Sequence, residues 1–129
     1  MWSHGNFYWN ELMTRDAEAA RNFYSSTLGW LFEPMEMSNG TYWVAKQGDT
    51  PVAGMFEMKG PDFEGVPQAW FAYIAVDDVD KRVKKVVAAG GKILRGPVDI
   101  ENVGRLAILQ DNSGVRLGFM RPVAEVSGA

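Results

Sequence analysis

Trp9-Asn10-Glu11-Leu12-Met13-Thr14-Arg15-Asp16 reads as a strand that runs into an acidic residue able to cap a helix. Phe71-Ala72-Tyr73-Ile74-Ala75-Val76-Asp77-Asp78 repeats that grammar, and the offset holds from end to end (71 − 9 = 62 and 78 − 16 = 62). After the first copy, Ala20, Phe23, Tyr24 and Leu28 recur at helical spacing until Gly29 ends the run. After the second, Val79, Val83, Val86 and Val87 do the same until Gly90-Gly91. Two copies at this period are too few and too long for a solenoid, so the unit is a duplicated module.

Behind each helix the chain reads as short strands divided by turn chemistry. Leu31–Met37, Thr41–Gln47 and Pro51–Met58 are separated by Ser38-Asn39-Gly40 and Gly48-Asp49. Lys92–Arg95, Gly104–Gln110 and Val115–Arg121 follow the second helix, with Asp111-Asn112-Ser113-Gly114 as a hairpin turn. Gly60-Pro61 through Gly65-Val66-Pro67 is linker-like. The expected class is α+β: a single domain over residues 1–129, made of two βαβββ modules at about 5–60 and 67–124. A helix covers one face of its own sheet, so the two remaining apolar faces are expected to line a shared concave cavity. Short edge strands invite pairing with a second copy, which predicts a homodimer.

Composition narrows the partners. The net charge of −3 supplies no basic field for nucleic acid or an anionic membrane. Lys81-Arg82 and Lys84-Lys85 lie on a helix opposite the valines and read as a solvated face. No apolar run approaches the roughly 18 residues of a membrane span, and Met1-Trp2-Ser3-His4-Gly5 has no signal-peptide grammar. A cytoplasmic location is the expectation. With no cysteine in the chain, disulfides, thiolate metal sites and a Cys nucleophile are excluded.

Four segments in order, Trp9-x-Glu11-Leu12-x-Thr14-x-Asp16, Phe23-Tyr24-x-x-x-Leu28-Gly29-Trp30, Tyr73-x-x-Val76-Asp77-Asp78-Val79-Asp80 and Val103-Gly104-Arg105-x-Ala107-x-x-x-Asp111-x-x-Gly114, resemble the vicinal oxygen chelate superfamily. That superfamily includes glyoxalase I, bleomycin-resistance proteins and extradiol dioxygenases, and the resemblance runs from Phe7 to Pro122. Metal-using members take four ligands, usually His and Glu, from the first and last strand of each module. The resemblance puts those positions at Trp9, Gly54, Phe71 and Gly118, where no side chain can ligate. His4 is the single histidine. No metal and no cofactor are therefore expected.

Strand alternation supplies the candidate site. Trp9, Glu11, Phe71 and Tyr73 should face inward, with Phe56 beside Gly54, and Arg116 and Met120 beside Gly118. An aromatic lining with few polar groups suits a planar or apolar small molecule. The ligand-binding candidates are Trp9, Phe56, Phe71, Arg105, Arg116 and Met120, the arginines because guanidinium binds carboxylate or phosphate bidentately. Glu11 and Tyr73 are the catalytic candidates, Glu11 because desolvation suits a general base. The competing reading of Glu11 is a structural pair with Arg105 or Arg116, that of Tyr73 a core aromatic, and that of Arg105 a structural clamp. The leading function is a metal-free binder of the bleomycin-resistance kind. The alternative is a glyoxalase-, lyase- or dioxygenase-like enzyme, either metal-independent with Glu11 as base or with an atypical metal site.

Overall fold

Asp16 and Asp78 start the two helices as the sequence predicts. Asp16 Oδ1 accepts from the Ala19 N–H at 3.0 Å, and Asp78 Oδ1 accepts from the Lys81 N–H at 3.0 Å. The computed structural model describes residues 2–37, 40–100 and 102–123. Its elements are β1 (Phe7–Thr14), α1 (Ala17–Leu28), β2 (Leu31–Met37), β3 (Gly40–Gln47), β4 (Thr50–Glu57), β5 (Ala69–Ala75), α2 (Val79–Ala88), β6 (Lys92–Ile100), β7 (Gly104–Gln110) and β8 (Arg116–Pro122). A 3-10 turn, Pro61–Phe63, sits in the linker. The order is βαβββ twice, and the class is α+β. The predicted turn at Ser38-Asn39 lies outside the described residues. Among the described residues, no helix is long and apolar enough to cross a membrane.

Two compact units divide the chain, one being Trp9–Phe71 and the other the described residues on either side of it. In the first, the strand order is β2-β3-β4-β1, with β1 parallel to β4 and the rest antiparallel. Leu12, Ala17 and Met55 form its buried centre, with Ala20, Tyr24, Phe32 and Trp43 packed against them. This fixes the parity of the strands. Leu12 and Met55 face α1, so Trp9, Glu11 and Met13 of β1 and Gly54 and Phe56 of β4 occupy the opposite, inner face. The linker is tied down by Arg15, whose guanidinium donates to the carbonyls of Phe63, at 3.1 Å, and Val66.

In the second unit the order is β5-β8-β7-β6, again with the first strand parallel to the last. Val76, Val79 and Ala107 are its helix-side core, joined by Val83 and Phe119. The chain start belongs here: Gly5 N–H donates to the Ala75 carbonyl at 2.8 Å, and Ala75 N–H donates to that of Asn6 at 2.9 Å. Strand β6 is longer than the sequence suggests. Gly96-Pro97 reads as a stop after Arg95, yet the strand continues to Ile100 through two register shifts between Ile93 and Val98. A proline is tolerated at such a bulge on a module's outer strand because no ladder donor is needed there.

Asp77 carries an acid-sensitive contact in this unit. Arg82 donates to both of its carboxylate oxygens at 2.9 Å, which holds the Asp77 pKa down to about 2 from a usual 3.8. The folded form therefore gains from the ionised carboxylate above about pH 4 and loses that gain as pH falls toward 2. Asp77→Asn should flatten the fall of the urea midpoint between pH 4 and 2 relative to the parent chain. Parallel profiles for the two proteins would sink this assignment.

Candidate functional site

The inner face of the first unit is built around a missing side chain. Gly54 is the register partner of Glu11 on β1 and of Val44 on β3. A Cβ placed on Gly54 would fall on the hydroxyl oxygen of Tyr42. Tyr42 stands opposite Phe56, one diagonal step along β3 from Gly54, and its ring reaches across so that the phenol end lies over the glycine. Trp9 Nε1–H donates to that hydroxyl at 2.9 Å. Trp9, Glu11, Tyr42 and Phe56 are all half-buried, and Phe63 closes on Phe56 with ring centroids 5.4 Å apart. A tyrosine hydroxyl, an indole and a carboxylate thus share one strand face with an otherwise aromatic and aliphatic lining.

Phe71 belongs to the same unit. Its neighbour Trp70 turns to α1, donating to the Tyr24 hydroxyl at 3.2 Å, so Phe71 projects from the other side of β5. In the second unit Tyr73 is the register partner of Gly118, as Glu11 is of Gly54. Tyr73 and Met120 are buried, at 5% and 3% exposure, whereas Arg116 at the start of β8 is exposed. Arg105 lies elsewhere. It shares the α2 side of β7 with Ala107, and its guanidinium bridges Asp80 at 2.8 and 3.0 Å and Asp99 at 3.1 Å. Those two carboxylates raise the Arg105 pKa further above its ordinary value. Of the two readings of Arg105, these contacts match the structural clamp, here joining α2, β6 and β7.

Two features escaped the sequence reading. Tyr42 is one. The other is an aromatic cluster on the outer side of the first unit, where Tyr24 stacks on Trp30 at 5.4 Å and Trp70 meets both rings edge-on. A groove of about 410 Å³ opens there, lined by Leu12, Thr14, Phe23, Tyr24, Gln68 and Trp70. Its polar groups already serve the chain. Gln68 Oε1 accepts from Thr14 Oγ1–H at 3.2 Å and from Arg15 N–H at 2.8 Å, and Asp16 caps α1. The inner face is the better candidate, because a carboxylate, a phenol and an indole stand together there on an aromatic and aliphatic lining.

The four positions to which the resemblance assigns metal ligands do not fit a metal. Trp9 offers only a donor N–H, and that N–H is bonded to Tyr42. At Gly54 the space for a ligand side chain is filled by the Tyr42 hydroxyl. Phe71 and Gly118 have no donor atom to offer. Among the described residues, no group of three or more His, Asp or Glu side chains is gathered for a cation. No step through a metal follows from these residues.

The described elements give the βαβββ order twice. The chain belongs to the glyoxalase/bleomycin resistance protein/dioxygenase superfamily, whose family model matches residues 7–119. It is similar to a putative glyoxylase, CFP32, of Mycobacterium tuberculosis, at 39% identity over 122 residues, covering 94% of this chain and 46% of that protein. It is 32% identical over 138 residues to the anthracycline biosynthesis protein DnrV of Streptomyces peucetius, covering 93% of this chain and 50% of the relative. The chain spans about half the length of these curated relatives. Among solved structures, hypothetical protein BH1468 from Bacillus halodurans C-125 has the same fold, with a TM-score of 0.74 at 13% identity, covering 98% of this chain and 100% of that one.

Proposed function

We propose that this chain binds a small, planar, oxygenated aromatic molecule, and that its N-terminal module meets the ligand with Trp9, Glu11, Tyr42 and Phe56 rather than through a metal. The observation that carries this reading is the exchange at Gly54. A ligand position has lost its side chain, and a phenol held by an indole takes its space. Aromatic faces supply apolar contact area with little rotamer entropy to lose, and a few placed polar groups give orientation. The 32% identity to a protein named for anthracycline biosynthesis agrees with a polycyclic, oxygen-bearing ligand class. Phe71 completes the aromatic set of this unit, and the proposal calls on no cofactor.

A thermal-shift screen of hydroxyquinones, flavonoids and polycyclic phenols tests it. At a hundredfold excess over Kd, a ligand should stabilise the folded chain by about 2.7 kcal/mol, which is a rise in Tm of roughly 10 °C for a domain of this size. A screen in which nothing moves Tm by more than a degree would count against a binder of aromatics. The homodimer is part of the same proposal, supported by large apolar side chains left in solvent, among them Leu31 at 62% and Phe23 at 58% exposure. Light scattering should return twice 14.3 kDa, and a mass of 14.3 kDa would remove the dimer.

A further inference from the structure

We infer that the groove on the outer, α1 side of the first unit is a second binding site, and that it takes an organic ammonium ion carried on an apolar body. It goes beyond the reading of the inner face and uses none of Trp9, Glu11, Tyr42 or Phe56. Its volume of about 410 Å³ suits a small ligand. Tyr24 and Trp70 make its aromatic corner, with ring centroids 5.6 Å apart and planes at 71°. The corner is fixed, because Trp70 Nε1–H donates to the Tyr24 hydroxyl at 3.2 Å and Trp30 stacks behind Tyr24 at 5.4 Å. Trp70 nevertheless keeps 43% of its surface exposed, so aromatic area is held open in a set position.

Charge selects the ligand. Among the described residues that line the groove, Asp16 is the one charged side chain, Thr14 and Gln68 being neutral. One Asp16 oxygen caps α1, and no group among the described residues is bonded to the other. Arg15, next in the chain, turns its guanidinium to the linker carbonyls of Phe63 and Val66, and that of Arg21 lies over the Trp43 ring, 3.9 Å from its centroid. The start of α1 does not call for an anion either. Its Ala17 and Ala19 N–H groups are taken by Glu57 at 2.8 Å and Asp16 at 3.0 Å. An ammonium group in the groove gains from the carboxylate and from the negative faces of the rings together. A neutral molecule of the same shape gains apolar contact alone, and an anion is repelled by both features.

Three soluble compounds of nearly the same shape separate the possibilities. At neutral pH 2-phenylethylamine is a cation, 2-phenylethanol is neutral and phenylacetate is an anion. Each is titrated into the ¹⁵N-labelled full chain and followed on the indole N–H signals. The Trp70 signal is the one lost in Trp70→Phe, and the Trp9 signal the one lost in Trp9→Phe. The amine should shift the Trp70 signal and bind about tenfold more tightly than the alcohol, with phenylacetate the weakest. Asp16→Asn keeps a capping side chain while removing the charge. It should weaken the amine about fivefold and leave the alcohol within twofold. Equal affinities for amine and alcohol, or an amine affinity that Asp16→Asn does not change, would overturn the proposal. So would an amine that moves the Trp9 signal alone, which places it on the inner face. A Trp70 signal that no compound moves overturns it too, and if Trp70→Ala then turns a particle of twice 14.3 kDa into one of 14.3 kDa, the occupant is a second copy of this chain.

Discussion

Gly104→Ala is expected to cost about 3 kcal/mol of folding stability, read as a drop in the urea midpoint at unchanged slope. Gly104 sits at φ +148°, where residues with a Cβ are strained. It opens β7 and is the register partner of Pro122 on β8. A Cβ there would fall on the Arg121 carbonyl oxygen and within 3.0 Å of the Pro122 Cα. Both are backbone of a paired strand, so no side chain can swing aside to make room. Strain of this kind is of order 1–3 kcal/mol, and forcing an extra carbon into packed backbone adds a similar amount. Arg105→Ala, one residue along, should cost far less. Its partners Asp80 and Asp99 are solvent-exposed, and their attraction is screened. A Gly104→Ala protein within about 1 kcal/mol of its parent would show that the β7–β8 edge can open to accept the methyl.

That contrast also marks where the sequence was legible. Gly104 and Arg105 are adjacent in a quoted motif, and nothing in their order says which is structural. The repeat of Trp9–Asp16 in Phe71–Asp78 identified both modules because a strand and its capping residue are local, one reporting by alternation and the other by side-chain chemistry. Alternation also placed Trp9, Glu11 and Phe56 on one face, as the Glu11–Gly54 and Met13–Phe56 register requires. It could not orient Arg105, a candidate through its guanidinium chemistry alone. Leu106 and Ala107 are both apolar and both buried, so β7 shows no period of two to orient it. The carboxylates that claim the guanidinium lie 25 and 6 residues back along the chain.

Tyr42 was illegible for a related reason. Thr41-Tyr42-Trp43-Val44 carries bulky residues on both faces: Trp43 packs toward α1, while Tyr42 faces the other way. The reach of Tyr42 over Gly54 is diagonal across two strands, and diagonal neighbours depend on a register that turn lengths set. The glycine was the available signal. A Gly inside an otherwise apolar strand marks close approach of some other group, and at Gly54 that group is the phenol oxygen of Tyr42.

Met55→Ala is the second large effect, expected to lower stability by about 3 kcal/mol. Met55 is 1% exposed, next in β4 to Gly54, and its side chain lies on the α1 side against Leu12 and Ala17. Truncation removes three heavy atoms from a packed centre. The loss of transfer free energy and the cavity left behind combine to roughly 2–5 kcal/mol for buried Leu, Ile or Met. Small neighbours make collapse into the gap difficult, since Ala17 and Ala20 are held by the backbone of α1 rather than by mobile side chains. The consequence for the site is the opposite of that for stability. Gly54 and Phe56 present the inner face from the same strand, and the backbone ladder to β1 and β3 holds them independently of the methionine. At a temperature where the variant remains folded, its affinity for whichever quinone raises Tm most in the thermal-shift screen should stay within about twofold of the parent. A Met55→Ala protein that loses both together would mean that the helix-side core and the inner face of this sheet respond as one body, and that the phenol over Gly54 is positioned by core packing more than by its bond to Trp9.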